Sequence, residues 1–195
     1  LHERRAERQV GRQQLAPAQG VVEGALLGFE VGLNLRDKIK LGASGKIVSA
    51  FDIASVLAIG ADWANSARGF MFAIGCIQSQ SCHTNKCPTG VATQDALRQR
   101  ALVVPDKAQR VLNFHHNTLH ALAEMLAAAG LAHPSQLEAK HLVRRISATE
   151  IKLFSQMHVF LKPGELLTGE VDGQFYSRMW QLARADSFEP HSEAA

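Results

Sequence analysis

Cys76, Cys82 and Cys87 are the only cysteines in a chain of 195 residues, and they fall within twelve consecutive positions. Five residues separate the first pair and four the second, in the run Gly75-Cys76-Ile77-Gln78-Ser79-Gln80-Ser81-Cys82-His83-Thr84-Asn85-Lys86-Cys87-Pro88. Thiolates gathered on a short loop are how proteins hold an iron–sulfur cluster or a zinc ion. A structural zinc site takes four ligands, usually with Cys-x2-4-Cys spacing; these gaps are longer, and the nearby fourth ligand is His83. A cluster of three irons and four sulfides needs one thiolate per iron, so three cysteines complete it. Three unrelated buried thiols are the plain alternative. Donor chemistry favours iron–sulfur and leaves zinc open.

Three thiols cannot pair into disulfides without one left over. The start, Leu1 to Arg12, carries both signs of charge and has no apolar core, so a secretory signal is not expected there. A reduced, cytoplasmic setting is therefore expected, in which clustered cysteines bind metal or do redox chemistry. Hydrophobic residues make up 46% of the chain, enough for a core, and no apolar run approaches the ~20 residues of a membrane span. A net charge of +3 is too small to argue for nucleic acid. There is no Gly-x-Gly-x-x-Gly run for a nicotinamide cofactor.

Elements must position the loop. Ile39 and Leu41 alternate with Lys38 and Lys40, as in a short strand, and a Gly42–Lys46 turn follows. Ser49 or Asp52 can cap a helix carrying Ile53, Ala54, Val56, Leu57 and Ile59, with Gly60 at its end. Asp62 to Ser66 reads as a second strand, followed by Ala67-Arg68-Gly69 and an apolar helix from Phe70. This rhythm is that of a parallel α/β protein. After the cysteines, Asp95 to Ala101 is a short helical stretch. Pro105 opens a long helix with Val111, Leu112, Leu119, Leu122, Ala123 and Leu126 at helical spacing, closed by Gly130. His116 and His120 lie one turn apart on it, without an evident acidic partner, and read as surface or packing residues. Pro134–His141 reads as another short helix and 142–146 as a connector. Ser147-Ala148-Thr149-Glu150 has the form of a capping box for a helix through about Met157. Trp180 and the residues after it carry no legible motif, and the ending from Glu189 is expected to fray.

The stretch from Gly75-Cys76 through Cys82-His83-Thr84-Asn85-Lys86-Cys87-Pro88-Thr89-Gly90-Val91-Ala92-Thr93-Gln94 closely resembles the cluster loop of glutamate synthases. The family pattern is Cys, five residues, Cys-His-x-Asn-x-Cys-Pro-x-Gly-Val-Ala-Thr-Gln. The resemblance runs from about Leu35 to about Leu167 and is to the FMN-binding synthase domain. It implies an aldolase-type (β/α)8 TIM barrel, FMN-dependent, of which this chain holds the C-terminal portion, followed by a mainly helical extension. It implies that Cys76, Cys82 and Cys87 bind a [3Fe-4S] cluster, and that FMN, reduced through it, reduces 2-iminoglutarate to glutamate. The loops after the last two barrel strands often form a phosphate site. Ser44, Gly45 and Lys46 fall at one, and Ala67, Arg68 and Gly69 at the other, so the resemblance assigns them to the flavin phosphate. Ala67 stands where the family has glycine. Without the resemblance, both glycines could simply make turns and both cations be solvated.

The resemblance divides the chain into residues 1–34, which show no likeness to the family, 35–75 with the last two βα units, 76–94 with the cluster loop, 95–167 as a helical extension packing on the barrel, and a 168–195 tail. A complete barrel takes about 250 residues, and nothing before Leu35 supplies six more strands. The expectation is a partial chain, shortened or frame-shifted upstream, that folds poorly unless a partner or oligomer completes it. No amidotransferase segment is legible, so ammonia is expected from a separate glutaminase subunit, and with no nicotinamide-binding run electrons are expected from a donor subunit or a ferredoxin. The competing readings are a non-catalytic zinc- or iron–sulfur-binding module and an inactive fragment of the same family.

Overall fold

The computed structural model describes residues 27–169 and 174–187. The start before residue 27 and the ending from Glu189 therefore lie outside the described residues. In chain order the elements are α1 (27–32), β1 (Gly42–Ser44), α2 (Ala50–Ile59), β2 (Trp63–Asn65), α3 (Ala67–Ala73), α4 (Ala96–Gln99), α5 (Val104–Ala128), β3 (Val143–Arg145), β4 (Ile151–Leu153), α6 (Phe154–Met157), α7 (Glu165–Thr168) and α8 (Gln174–Leu182). Single 3-10 turns occupy Cys82–Thr84, Pro134–Gln136 and Ala139–His141. The chain divides into two compact units, one of Gly42–Leu57 and Trp63–Leu137, the other of Leu1–Leu41, Ala58–Asp62 and Glu138–Ala195. No described helix is long and apolar enough to cross a membrane.

The Gly42–Leu57 and Trp63–Leu137 unit carries a parallel strand pair, β1 with β2, in the register Gly42↔Trp63, Ala43↔Ala64 and Ser44↔Asn65. A parallel pair requires a crossover, and α2 lies within it. Reciprocal capping starts α2. The Asp52 N–H donates to the Ser49 hydroxyl at 3.2 Å, and the Ser49 N–H donates to the Asp52 carboxylate at 2.8 Å. Small Ala50 and Ala54 bury its inner face. Farther on, α3 packs on α5 through Phe70 and Phe114, whose rings meet edge to face at 5.2 Å. Pro105 sits in the first turn of α5. At the other end, the N–H groups of Gly130 and Leu131 donate to the carbonyls of Ala127 and Leu126, the paired bonds that close a helix on a left-handed glycine.

The other unit has its own core of Leu161, Leu166 and Tyr176, with Phe29 and Leu33 packed against it. Trp180, where no motif was legible, lies on α8 one turn after the core residue Tyr176. The expected helix from Ser147 is replaced by a hairpin. β3 pairs antiparallel with β4, and the N–H groups of Ile146 and Ser147 both donate to the Glu150 carbonyl. The Ser147 hydroxyl accepts from the Thr149 N–H, and Glu150 pairs with Lys152 at 2.9 Å, so neither end of the expected capping box closes. Only four residues, Phe154–Met157, become helical. Val143, Ile146 and Ile151 are β-branched and favour the strand pairing over a helix. Likewise, the Pro134–His141 helix becomes two 3-10 turns.

The strand expected at 38–41 begins later, at Gly42, because Asp62 captures Leu41. The Leu41 N–H donates to the Asp62 carboxylate and the Leu41 carbonyl accepts from the Asp62 N–H, both at 2.8 Å. Arg36 pairs with the same carboxylate at 2.8 Å and Lys40 at 3.0 Å. Burial pushes the Asp62 carboxyl up, but the Leu41 N–H, Lys40 and Arg36 together outweigh it and hold its pKa below the ordinary value. A depressed carboxylate contributes stability that is fully present above its unfolded pKa, about 3.9, and is lost as pH falls through the lower folded value. Asp62→Asn is expected to destabilise the chain by about 1–3 kcal/mol at pH 7. Urea unfolding at pH 7 and again near pH 3 checks this, with the difference between variant and parent shrinking at the lower pH.

Candidate functional site

Two loops leave the same edge of the β1–β2 pair. Ser44 and Asn65 are register partners in a parallel ladder, so the segments after them emerge side by side. Ser66 ties them together, its hydroxyl donating to the Ile47 carbonyl at 2.9 Å. Lys46 is a non-glycine residue at φ +55, a sparsely populated conformation for a side chain to hold. Ser44, Gly45, Lys46, Ala67 and Arg68 are exposed. Neither Lys46 nor Arg68 forms an ion pair with another described residue. Gly69 differs from these. It is buried, and a Cβ added there would stand 2.6 Å from Phe114 Cζ. Its visible work is the close approach of α3 to α5. Two free cations, a hydroxyl and a glycine turn on one edge fit a phosphate group in charge and donor type.

From Gly69, two turns of α3 lead to the cysteines. Gly75, at φ +107, closes α3 with its N–H donating to the Phe72 carbonyl, and the Cys76 N–H donates to that of Met71. Cys76 is thus fixed by the end of a helix. Gln78, Gln80 and Asn85 then adopt left-handed conformations at φ between 56 and 60. Three such residues in one loop mark a path dictated by something other than local preference. Cys82 opens the 3-10 turn, which the Thr84 hydroxyl braces by donating to the Ser81 carbonyl at 2.7 Å.

Asn85 closes the second half. Its side-chain oxygen accepts from the Gln94 N–H at 2.6 Å and the Thr93 hydroxyl at 2.9 Å, and its carbonyl accepts from the same hydroxyl at 2.7 Å. Residues 86–92 become a closed loop, and Cys87 is buried inside it. Its sulfur meets the Thr89 hydroxyl at 3.5 Å. That hydroxyl first, then the N–H groups of Ala92, Thr89 and Val91, overcome burial and bring the Cys87 thiol down to about 7. The metal-ligating form of cysteine is the thiolate, so this environment suits a ligand sulfur. Gly90, at φ +78, makes the turn, and a Cβ there would lie 2.4 Å from the Arg98 carbonyl oxygen.

All three cysteines are free thiols: Cys76 half-buried, Cys82 exposed and Cys87 buried. Among the described residues, no three His, Cys, Asp or Glu side chains are gathered closely enough to hold a metal ion. The donor set fits an iron–sulfur group in kind, and the backbone around Cys87 fits it in hydrogen bonding. His83, the alternative fourth ligand for zinc, is exposed on the 3-10 turn. On α5, His116 and His120 stack at 6.5 Å, and Glu124 stands 3.7 Å from His120, an acidic neighbour the spacing had not revealed. Sequence reasoning also missed the bracing roles of Asn85, Thr93, Ser66 and Thr89. Asn tolerates the left-handed region and accepts hydrogen bonds from nearby backbone, which was the available signal at residue 85.

These features define a class: a protein of mixed helices and strands, with a parallel βαβ unit followed by a braced three-thiol loop. A family model described as a conserved region in glutamate synthase matches residues 29–132. A glutamate synthase large subunit-like protein of Bacillus subtilis is 42% identical over 128 residues, covering 65% of this chain and 24% of its own length. Ferredoxin-dependent glutamate synthase 2 of Synechocystis is 38% identical over 97 residues, 49% of this chain and 6% of its own length. The large chain of the NADPH glutamate synthase of Azospirillum brasilense is 28% identical over 147 residues, 65% of this chain and 10% of its own. The chain belongs to the glutamate synthase family, and it spans about a quarter or less of the length of these relatives.

Removing the Asn85 side-chain acceptor is expected to open the loop around Cys87. In Asn85→Ala, hydrogen exchange of the Gln94 amide should speed by at least about tenfold, while amides in the middle of α5 keep their protection. An unchanged Gln94 rate would show that the loop is closed by something else.

Proposed function

We propose that this chain carries the electron-transfer and flavin-phosphate portion of a glutamate-synthase-type oxidoreductase of glutamate biosynthesis. The observation that carries the reading is the loop itself: three free thiols within a family-matched segment, one of them buried beside the Thr89 hydroxyl. Cys76, Cys82 and Cys87 would hold a [3Fe-4S] cluster. Ser44, Gly45, Lys46, Ala67, Arg68 and Gly69 would hold the phosphate of FMN, on the C-terminal edge of what would be the last strands of an FMN-dependent TIM barrel. When bound, the two groups supply electron relay and hydride transfer, by which 2-iminoglutarate becomes glutamate.

The chain's own residues do the positioning. Arg68 offers a planar, always-charged donor pair that can grip a phosphate at two oxygens, and Lys46 adds a point charge. Ser66, bonded to Ile47, keeps the two loops from separating. Asn85 and Thr93 hold the Cys87 turn closed, and the Thr89 hydroxyl stands 3.5 Å from its sulfur, placed to donate to it when the sulfur is a thiolate. Electrons would come from a donor subunit or a ferredoxin and ammonia from a separate glutaminase subunit, in the cytoplasm.

The test is anaerobic purification with iron, sulfide and zinc analysis. Iron and inorganic sulfide in the three-to-four ratio of the cluster are expected, with Cys76→Ser, Cys82→Ser and Cys87→Ser each losing most of both. Zinc without sulfide would replace this reading with a zinc module. Arg68→Ala is expected to weaken FMN binding by about tenfold or more, measured by flavin fluorescence quenching, since it removes a charge-assisted contact.

A further inference from the structure

The three sulfurs are not equivalent. Cys87 is buried and Cys82 exposed. Among the described residues, no hydrogen bond reaches the sulfur of Cys76 or Cys82, whereas Cys87 is met by the Thr89 hydroxyl at 3.5 Å. As a thiol, either partner of that contact can donate. As a metal-bound thiolate the sulfur has no proton, so the hydroxyl must donate to it. The turn that presents the hydroxyl is fixed independently of any ligand, by the Asn85 bonds to Thr93 and Gln94 and by the Gly90 conformation. Thr89 is also a position that the motif of the cluster loop leaves unspecified between Pro88 and Gly90.

We propose that Thr89 is a positioning and tuning residue: its hydroxyl, donating to the Cys87 thiolate, raises the reduction potential of the cluster that the three cysteines hold. The inference rests on the cluster assignment made above. One-electron reduction adds a negative charge to the iron–sulfur unit, and that charge is shared onto its ligand sulfurs. A donor held against one sulfur stabilises the reduced form more than the oxidised form, and so makes it the easier to reach. Burial strengthens the effect by keeping water, a competing and mobile donor, away from this sulfur.

The experiment is a dithionite titration of the anaerobically reconstituted 195-residue chain, followed by electron paramagnetic resonance, with iron and sulfide measured on each sample. Thr89→Val is nearly the same shape without the hydroxyl; Thr89→Ala is a second form should the valine load poorly. Both are expected to keep the iron and sulfide content of the parent and to shift its potential negative by about tenfold in the reduction equilibrium, ~59 mV for one electron. Thr89→Ser, which restores the hydroxyl, is expected to titrate with the parent. Equal potentials in all four proteins would overturn the proposal while leaving the cluster assignment standing. Loss of iron and sulfide from the valine and alanine variants alone would also overturn it, by showing that the hydroxyl holds the loop together. A parent chain that takes up no iron or sulfide would remove the cluster assignment itself, and the proposal with it.

Discussion

The site depends on one side chain that is neither a ligand nor charged. Asn85 accepts hydrogen bonds from Thr93 and Gln94 with both its side-chain and backbone oxygens, and so joins the two ends of a segment that would otherwise hang open. Closing a short loop costs chain entropy. Three hydrogen bonds at one residue meet much of that cost locally, and Gln99 and Arg98 of α4 add bonds to the carbonyls of Thr93 and Lys86. The consequence is chemical. Backbone N–H groups of Thr89, Val91 and Ala92 converge on a single sulfur, and a group that converging donors surround prefers to be an anion. The same closure buries Cys87, yet the thiol ionises more readily than an ordinary cysteine despite its removal from water.

The second constraint is the parallel pairing of β1 and β2. Parallel strands must point their ends the same way, so a connection through α2 brings two loops distant in sequence to one edge without any side-chain contact to guide them. The hydroxyl of Ser66 then only has to lock what the backbone has already arranged. Lys46 sits in the first of those loops and Arg68 in the first turn of α3, which begins at Ala67 and not at Phe70 as its sequence suggested; both are exposed and without ion-pair partners among the described residues, the condition in which a cation can meet an anionic ligand. Gly69 belongs to the packing of this arrangement. Its missing Cβ is what lets Phe114 close on α3, and so fixes where the helix carrying Arg68 runs.

What was legible in the sequence follows how locally each feature is determined. The crossover helix could be read because Ser49 and Asp52 cap each other three residues apart, and α5 because Pro105 and Gly130 bracket a clear apolar period. The start of β1 was misplaced because the partner of Leu41 is a side chain, Asp62, twenty-one residues away, which no periodicity registers. The Ser147–Glu150 box failed for a related reason: its residues fit a helix cap, but the strand partner at 143–145 competes for the same backbone and wins. In the site, the cysteines and the two loops were visible as residue types and spacing. The bracing by Asn85 and the asymmetry among the three sulfurs were not, because both depend on the path of a loop with three left-handed residues.

The division of the chain gives this site a context. Every residue assigned to phosphate or metal lies in the unit formed by Gly42–Leu57 and Trp63–Leu137, and that unit falls almost wholly within the stretch shared with the family. The unit with the Leu161, Leu166 and Tyr176 core contributes none of them, and most of it lies beyond residue 132. Two separate cores thus serve different ends. One carries the thiols and the two cations, together with left-handed residues and an exposed Cys82. The other carries the Asp62 cluster with Arg36, Lys40 and Leu41, and a packed core with Phe29 edge-on to Tyr176 at 5.4 Å and leucines beside them. Strain therefore concentrates where chemistry is expected. Among the described residues, five non-glycine residues have positive φ, and four of them, Lys46, Gln78, Gln80 and Asn85, lie in the phosphate-side loop or the cysteine loop. A backbone holds such conformations only where the surrounding bonds over-determine them, and at Asn85 those bonds are visible.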